Sequence, residues 1–346
     1  MRDLLGTELP IIQAPMAGVQ GSALALAVCN AGGLGSLPCA MLSPAALSEE
    51  LQTLRARTGA PFNLNFFCHS PPAVDVGKER VWRVALAPYY REIGLDENAE
   101  LPSGAPRLPF DADVADVVEP FKPAVVSFHF GIPEPALLAR VKSWGAKVLA
   151  SATTIEEARW LEAHGVDAII AQGLEAGGHR GMFLSDDLTR QVGTFALLPQ
   201  IVRTVRVPVI AAGGIADARG VAAALSLGAA AVQIGTAFLL CPEATTHAVH
   251  RAALTSEKAR HTALTNLFSG GVARGIVNRL MRELGPISPL APAFPLASAA
   301  IAPLRAHAER NGNGDFSPLW SGQNACGCKA ISAGRLTREL AGASPL

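Results

Sequence analysis

Residues 208–238 read PVIAAGGIADARGVAAALSLGAAAVQIGTAF. Two short apolar runs, PVIAAGG and AVQIGTAF, flank the alanine-rich stretch DARGVAAALSLGA, which contains a glycine suited to a helix C-cap. This is a β-α-β unit. Neither run alternates apolar with polar residues, as expected where both faces of a strand are covered in a parallel sheet wrapped by helices. The pattern extends back through IIQAPM (11–16), LGSLPC (34–39), FNLNFF (62–67), AVVSFHFG (124–131), AKVLASA (146–152) and DAIIAQG (167–173). Helix-like segments such as EPALLARVKSWG and TIEEARWLEAHG separate these runs. Eight such strands predict an α/β fold, a closed (β/α)8 TIM barrel rather than an open doubly wound sheet. A dinucleotide fingerprint is missing, because the glycines of AGGLGSLP (31–38) precede a strand where that motif must follow one.

The barrel core is expected over 1–240, with an insertion after the third strand at about 70–121 that contains VWRVALAPYYREIG. Residues 241–346 exceed one closing helix and are expected to supply closing helices and a C-terminal extension or cap packed on the barrel.

The chain has 346 residues, 49% hydrophobic and 17% charged, in keeping with a packed soluble protein. Its 29 basic and 29 acidic residues cancel, so no global field attracts nucleic acid or an anionic membrane. Neither a targeting segment in MRDLLGTELP nor an apolar run of spanning length is visible, and cytoplasmic residence is expected. Six cysteines are too few for a disulfide scaffold, and the close pair Cys326 and Cys328 lacks further ligands, so no metal is expected.

Barrel enzymes carry their sites on the loops after the strands, often with a phosphate beside the last two. Gly213 and Gly214 end the seventh strand, and Gln233, Gly235 and Thr236 lie at the end of the eighth. Glycine lets backbone N–H groups approach a phosphate, and the threonine hydroxyl adds a donor. A phosphorylated substrate or a cofactor such as FMN would suit these turns. The other strand ends favour the cofactor: Ala14, Pro15 and Met16 offer backbone beside a planar ring, and Asn63, Asn65 and Gln172 offer amides for its edge. Asparagine or glutamine could equally satisfy local backbone. After the sixth strand, QGLEAGGHRG places His179 behind Gly177 and Gly178, where it would stand beside a flat cofactor and titrate near neutral pH. Glu175 and Arg180 read as a solvated pair. His129, at the end of the fourth strand, faces the same mouth. His69, His164, His247, His250, His261 and His307 lack such support. With no Gly-x-Ser-x-Gly elbow and no His-Glu-x-x-His helix, hydrolase and zinc protease chemistry are unsupported.

Taken together, PIIQAPMAG, AGGLGSLP, QGLEAGGHRG, PVIAAGGIAD and AVQIGTAF resemble the nitronate monooxygenases, formerly grouped as 2-nitropropane dioxygenases. FMN-dependent enoyl-acyl-carrier-protein reductases look similar through the same motifs, and a flavin-binding protein without turnover is a further alternative. FNLNFF, SFHFGIP and LWSGQ are similar to the class I monooxygenase pattern. The resemblance implies FMN as cofactor and oxidation of alkyl nitronates, propionate 3-nitronate above all, by dioxygen to a carbonyl compound and nitrogen oxyanions. It assigns His179 as the active-site histidine and His129 as a second, substrate-side histidine. It implies small-molecule partners, a nitronate or nitroalkane with dioxygen, and leaves room for a homodimer. The chain departs from class I in its tyrosines: only Tyr89 and Tyr90 are present, both in the insertion.

Overall fold

The computed structural model describes residues 2–101 and 107–343. Eight parallel strands form one sheet: Ile11–Gln13, Gly35–Pro38, Phe62–Phe67, Val125–His129, Lys147–Ala152, Ala168–Gln172, Val209–Ala212 and Ala231–Ile234. They pair in chain order from the second to the eighth, and the eighth pairs with the first. The ring closes where Gln13 N donates to Leu34 O and Leu34 N donates to Ile11 O, each at 2.9 Å. The fold is the expected TIM barrel.

Successive side chains on each strand point to opposite faces. Ile12, Leu34, Val125, Leu149, Ile170 and Ile210 fill the barrel interior. Their neighbours Ile11, Val126, Phe128, Ile169 and Val232 pack beneath the outer helices. In most strands both positions are apolar, so these show no alternation; the third is the exception, with Asn63 and Asn65 alternating with Phe62, Leu64 and Phe66. The quoted β-α-β unit is bounded by local chemistry: Asp217 caps helix Ala218–Ser226 by accepting from Gly220 N at 2.8 Å. Gly228, at φ 97°, then ends that helix in a left-handed conformation.

Within the stretch 70–121, helix Val76–Glu92 leaves the barrel. Its Trp82, Leu86, Tyr89 and Tyr90 form a second core with Leu280, Ile301, Leu304 and Phe316 from the C-terminal part of the chain. Trp82 Nε1 donates to Ala297 O at 3.2 Å and Tyr90 OH to Ala300 O at 2.6 Å. The later helix Ala112–Val118 behaves differently, packing into the barrel's ring against Pro44–Arg57 and Pro135–Ser143. Helix Ala333–Leu340 closes that ring against Ser22–Cys29 and Ala218–Ser226.

A second, antiparallel sheet joins Thr262–Thr265, Ala273–Ile276 and Gly178–His179. The loop after the sixth strand is thereby stitched to residues nearly a hundred positions later. No helix among the described residues is long and apolar enough to cross a membrane.

Candidate active site

The strand C-termini open into one cavity. The first strand supplies Ala14, Pro15 and Met16 to its wall, and the third supplies Asn65. The fourth and sixth supply His129 and Gln172, with Gly177, Gly178 and His179 on the loop beyond. From the last two come Gly213 and Gly214, then Gln233, Gly235 and Thr236. Ala14 N donates to Ile234 O at 2.8 Å, and Met16 N donates to Gln20 Oε1 at 3.0 Å. Gln20 in turn donates to Ser36 O at 2.6 Å, so the first turn is tied on both sides.

Gly213 and Gly214 adopt φ of 116° and 72°, conformations that side chains resist. A Cβ on Gly213 would also lie 2.8 Å from Thr194 Oγ1. Among the described residues, no protein group accepts from the backbone N–H groups of Gly213, Gly214, Gly235 and Thr236. Four donors are thus left at the two final turns.

His179 pairs with Ala273 in the small sheet, which fixes its backbone. Its Nε2 lies 2.8 Å from Ser269 Oγ, whose hydroxyl donates to Gly271 O at 3.3 Å. With the serine proton directed to Gly271 O, Nε2 is the protonated nitrogen and Nδ1 the acceptor. Phe130, Phe294 and Trp320 surround the ring, with centroids 6.2, 5.1 and 5.5 Å away. Burial, then the positive charge of Arg107 and the neighbouring His129 and His69, push its pKa down to about 3. His179 is neutral near pH 7. His129 is neutral as well, lowered to about 4 chiefly by burial. Both its nitrogens are occupied, Nδ1 by Ser151 Oγ at 3.0 Å and Nε2 by His179 O at 3.1 Å. Its ring borders the cavity while supporting the loop above.

Other amides serve the scaffold. Gln172 Nε2 donates to His179 O at 2.9 Å and its Oε1 accepts from Gly181 N at 2.8 Å, so this amide holds the His179 loop. Asn63 does not line the cavity: it lies inside the barrel, donating to Ser36 Oγ at 3.0 Å and Ser127 Oγ at 2.9 Å. Serine hydroxyls inside the barrel, not a ligand in the cavity, take up its amide protons. Gly177 has a near protein neighbour, since a Cβ there would lie 2.5 Å from Gly322 N. It admits the backbone of the C-terminal segment.

Glu175 and Arg180 are not a solvated pair. Arg180 is 1% exposed and donates to Gln191 Oε1 at 2.9 Å, Gly173 O at 2.7 Å and Gln172 O at 2.8 Å. Glu175 accepts from Thr194 N and Oγ1, both at 2.8 Å. Each satisfies backbone or hydroxyl groups left over where the sixth strand ends, with Arg180 buried and Glu175 partly so. His250, read as bland, does line the cavity, with Nε2 3.0 Å from Trp320 O. Trp320 lines it too, whereas Gln323 does not. Arg107, Ser151 and Ser269 carried no sequence signal, yet Arg107 and Ser151 reach the wall and Ser269 holds His179.

The family model for nitronate monooxygenase matches residues 1–342. The chain belongs to the nitronate monooxygenase family. A nitronate monooxygenase of Paraburkholderia phytofirmans is 44% identical over 339 residues, covering 97% of this chain and 92% of that protein. One from Pseudomonas aeruginosa is 43% identical over 338 residues, covering 97% and 96%. Among solved structures, nitroalkane oxidase from Streptomyces ansochromogenes superposes with a TM-score of 0.88 at 40% identity, covering 99% and 96% of the two chains. FabK from Thermotoga maritima is more distant, with a TM-score of 0.71 at 30% identity over 98% and 93%.

Family membership makes the protein a flavin-dependent oxidoreductase that oxidises nitronates. The residues present fit such a cofactor. The unpartnered N–H groups at the last two turns suit an anionic group. Gln233 Oε1, buried and without a protein partner, suits the N–H edge of a ring.

Proposed function

We propose that the flavin is FMN and that the enzyme oxidises alkyl nitronates, propionate 3-nitronate among them, with dioxygen to a carbonyl compound and nitrogen oxyanions. The observation that carries the proposal is the set of unpartnered N–H groups at Gly213, Gly214, Gly235 and Thr236, lining the same cavity as His179, with Gly213 and Gly214 against the base of the loop that bears it. These groups and the Thr236 hydroxyl would hold the FMN phosphate. Thr236 Oγ1 already accepts from Gly322 N at 2.9 Å, which leaves its own proton for that contact. Ala14, Pro15 and Met16 would flank the isoalloxazine, with Asn65, Gln172 and Gln233 toward its polar edge. Gly177 and Gly178 would carry the His179 loop past it. When bound, FMN would accept electrons from the nitronate and deliver them to dioxygen.

The protein's own contribution is placement and proton control. Neutral His179 presents Nδ1 as an acceptor, so it can take the α-proton of a neutral nitroalkane. A nitronate has already lost that proton and needs only to be positioned, with His129 forming part of the wall beside it. Phe130, Phe294 and Trp320 exclude water around the imidazole.

Purified yellow protein is expected to form nitrite aerobically from propionate 3-nitronate. Anaerobic NADPH is expected to leave the flavin unbleached. Intact yellow protein without nitronate turnover, or rapid bleaching by NADPH, would overturn the proposal, the latter in favour of an enoyl-thioester reductase.

A further inference from the structure

We infer that Arg107, from the insertion, holds the negative charge of the nitronate beside His179 and selects nitronates over neutral nitroalkanes. The inference rests on the nitronate reading above. Among the described residues that line the cavity, Arg107 alone is permanently charged, with no aspartate, glutamate or lysine beside it. His179 and His129, the obvious alternatives, have their Nε2 atoms engaged by Ser269 Oγ and by the His179 carbonyl. Burial keeps both neutral. An imidazolium is therefore not what meets the substrate.

The guanidinium is partly buried and forms no ion pair among the described residues. Its side-chain contact there is Nη1 to Ser298 Oγ at 3.1 Å. Ser298 donates its own proton to Pro295 O at 2.8 Å, so it acts toward Arg107 as an acceptor and anchor. Arg305, the charged neighbour that perturbs Arg107, has the same sign. A cation withdrawn from water with no counter-ion is costly, and an anion entering the cavity would relieve that cost. Arg107 and His179 line the same cavity, and Phe294, whose ring lies 5.1 Å from His179, precedes by four residues the Ser298 that anchors the guanidinium.

The chemistry of the substrate matches. A nitronate carries its charge on two oxygens attached to one planar nitrogen, in the manner of a carboxylate. A guanidinium has five donors in a fork, and a single contact to Ser298 leaves a pair free for those oxygens. A neutral nitroalkane has the same outline without the charge, so Arg107 separates the two by electrostatics.

The test uses the FMN-loaded enzyme, ethylnitronate, and freshly dissolved nitroethane at about pH 7. Ethylnitronate has no second charged group, so any effect belongs to the nitronate itself. Arg107→Met is expected to lower kcat/KM for ethylnitronate by about 10- to 100-fold while nitroethane changes by less than about threefold. Arg107→Lys should fall between, keeping the charge without the fork. Nitrate, an inert planar oxyanion, should inhibit Arg107→Met with a Ki raised by a similar factor. Unchanged ethylnitronate kinetics and nitrate inhibition, or equal losses on both substrates, would overturn the assignment. Failure of the unmutated enzyme to oxidise ethylnitronate would instead remove the nitronate reading, and the nitrate measurement would still decide whether Arg107 binds oxyanions.

Discussion

Replacing Arg180 by methionine tests how the barrel holds its histidine. The guanidinium is enclosed and makes three hydrogen bonds, two of them to the carbonyls of Gln172 and Gly173 at the end of the sixth strand. Burial and the like charge of Arg274 lower its pKa to about 10, which leaves it charged near pH 7. Methionine fills much of the volume but strands both carbonyls and Gln191 Oε1. Hydrogen bonds to a charged group contribute roughly 1.5–3 kcal/mol each, offset by the desolvation that the charge no longer suffers. A net loss of about 3 kcal/mol follows. With an unfolding entropy of roughly 0.7 kcal/mol/K for a chain of this length, the melting temperature should fall by about 4 °C. Because His179 adjoins Arg180 and shares the Gln172 anchor, kcat should also fall by about tenfold or more. Differential scanning fluorimetry and steady-state nitronate oxidation measure both. Arg180→Met with a melting point within about 1 °C of the parent and unaltered turnover would refute the reasoning.

His179→Asn should retain FMN and lose about 100-fold or more in nitroethane oxidation, because the acceptor at Nδ1 is gone while the scaffold remains; unchanged turnover would defeat the assigned role. Gly235→Leu should weaken flavin retention, since its Cβ would already lie 3.3 Å from Ala14 Cβ and 3.5 Å from Met16 Sδ; normal FMN occupancy after gel filtration would contradict this. His129, His179 and His250 have pKa values lowered from 6.5 to about 4, 3 and 4, so their stabilisation is complete above about pH 6.5 and is lost as pH falls toward 4. Each adds a slope of up to about 1.4 kcal/mol per pH unit in that window. His250→Gln should flatten the decline, and a melting temperature independent of pH from about 7 to 4.5 would rule the effect out.

The barrel was legible because most strands are short, largely apolar runs on both faces, as Val125 and Val126 illustrate, one inside the ring and the other beneath the helices. That Gly213, Gly214 and Gly235 line the cavity was legible because they follow strands directly. What was hidden depends on distant partners. The pairing of Gly178 and His179 with Arg274 and Ala273 involves a two-residue strand with no periodicity of its own. Arg180 reads as solvent-facing beside Glu175, and only the carbonyls above the sixth strand explain its burial. Asn63 and Asn65 sit two residues apart on one strand, yet one lies in the barrel interior and the other lines the cavity. Arg107 lies between prolines in a stretch with no regular pattern, so its arrival at the cavity is a property of the insertion's path.

The most direct test of the account is a crystal structure of the yellow holoprotein. It should place the FMN phosphate within hydrogen-bonding distance of the N–H groups of Gly213, Gly214, Gly235 and Thr236, with His179 beside the isoalloxazine. A phosphate bound elsewhere, or a flavin ring that His179 does not approach, would contradict it.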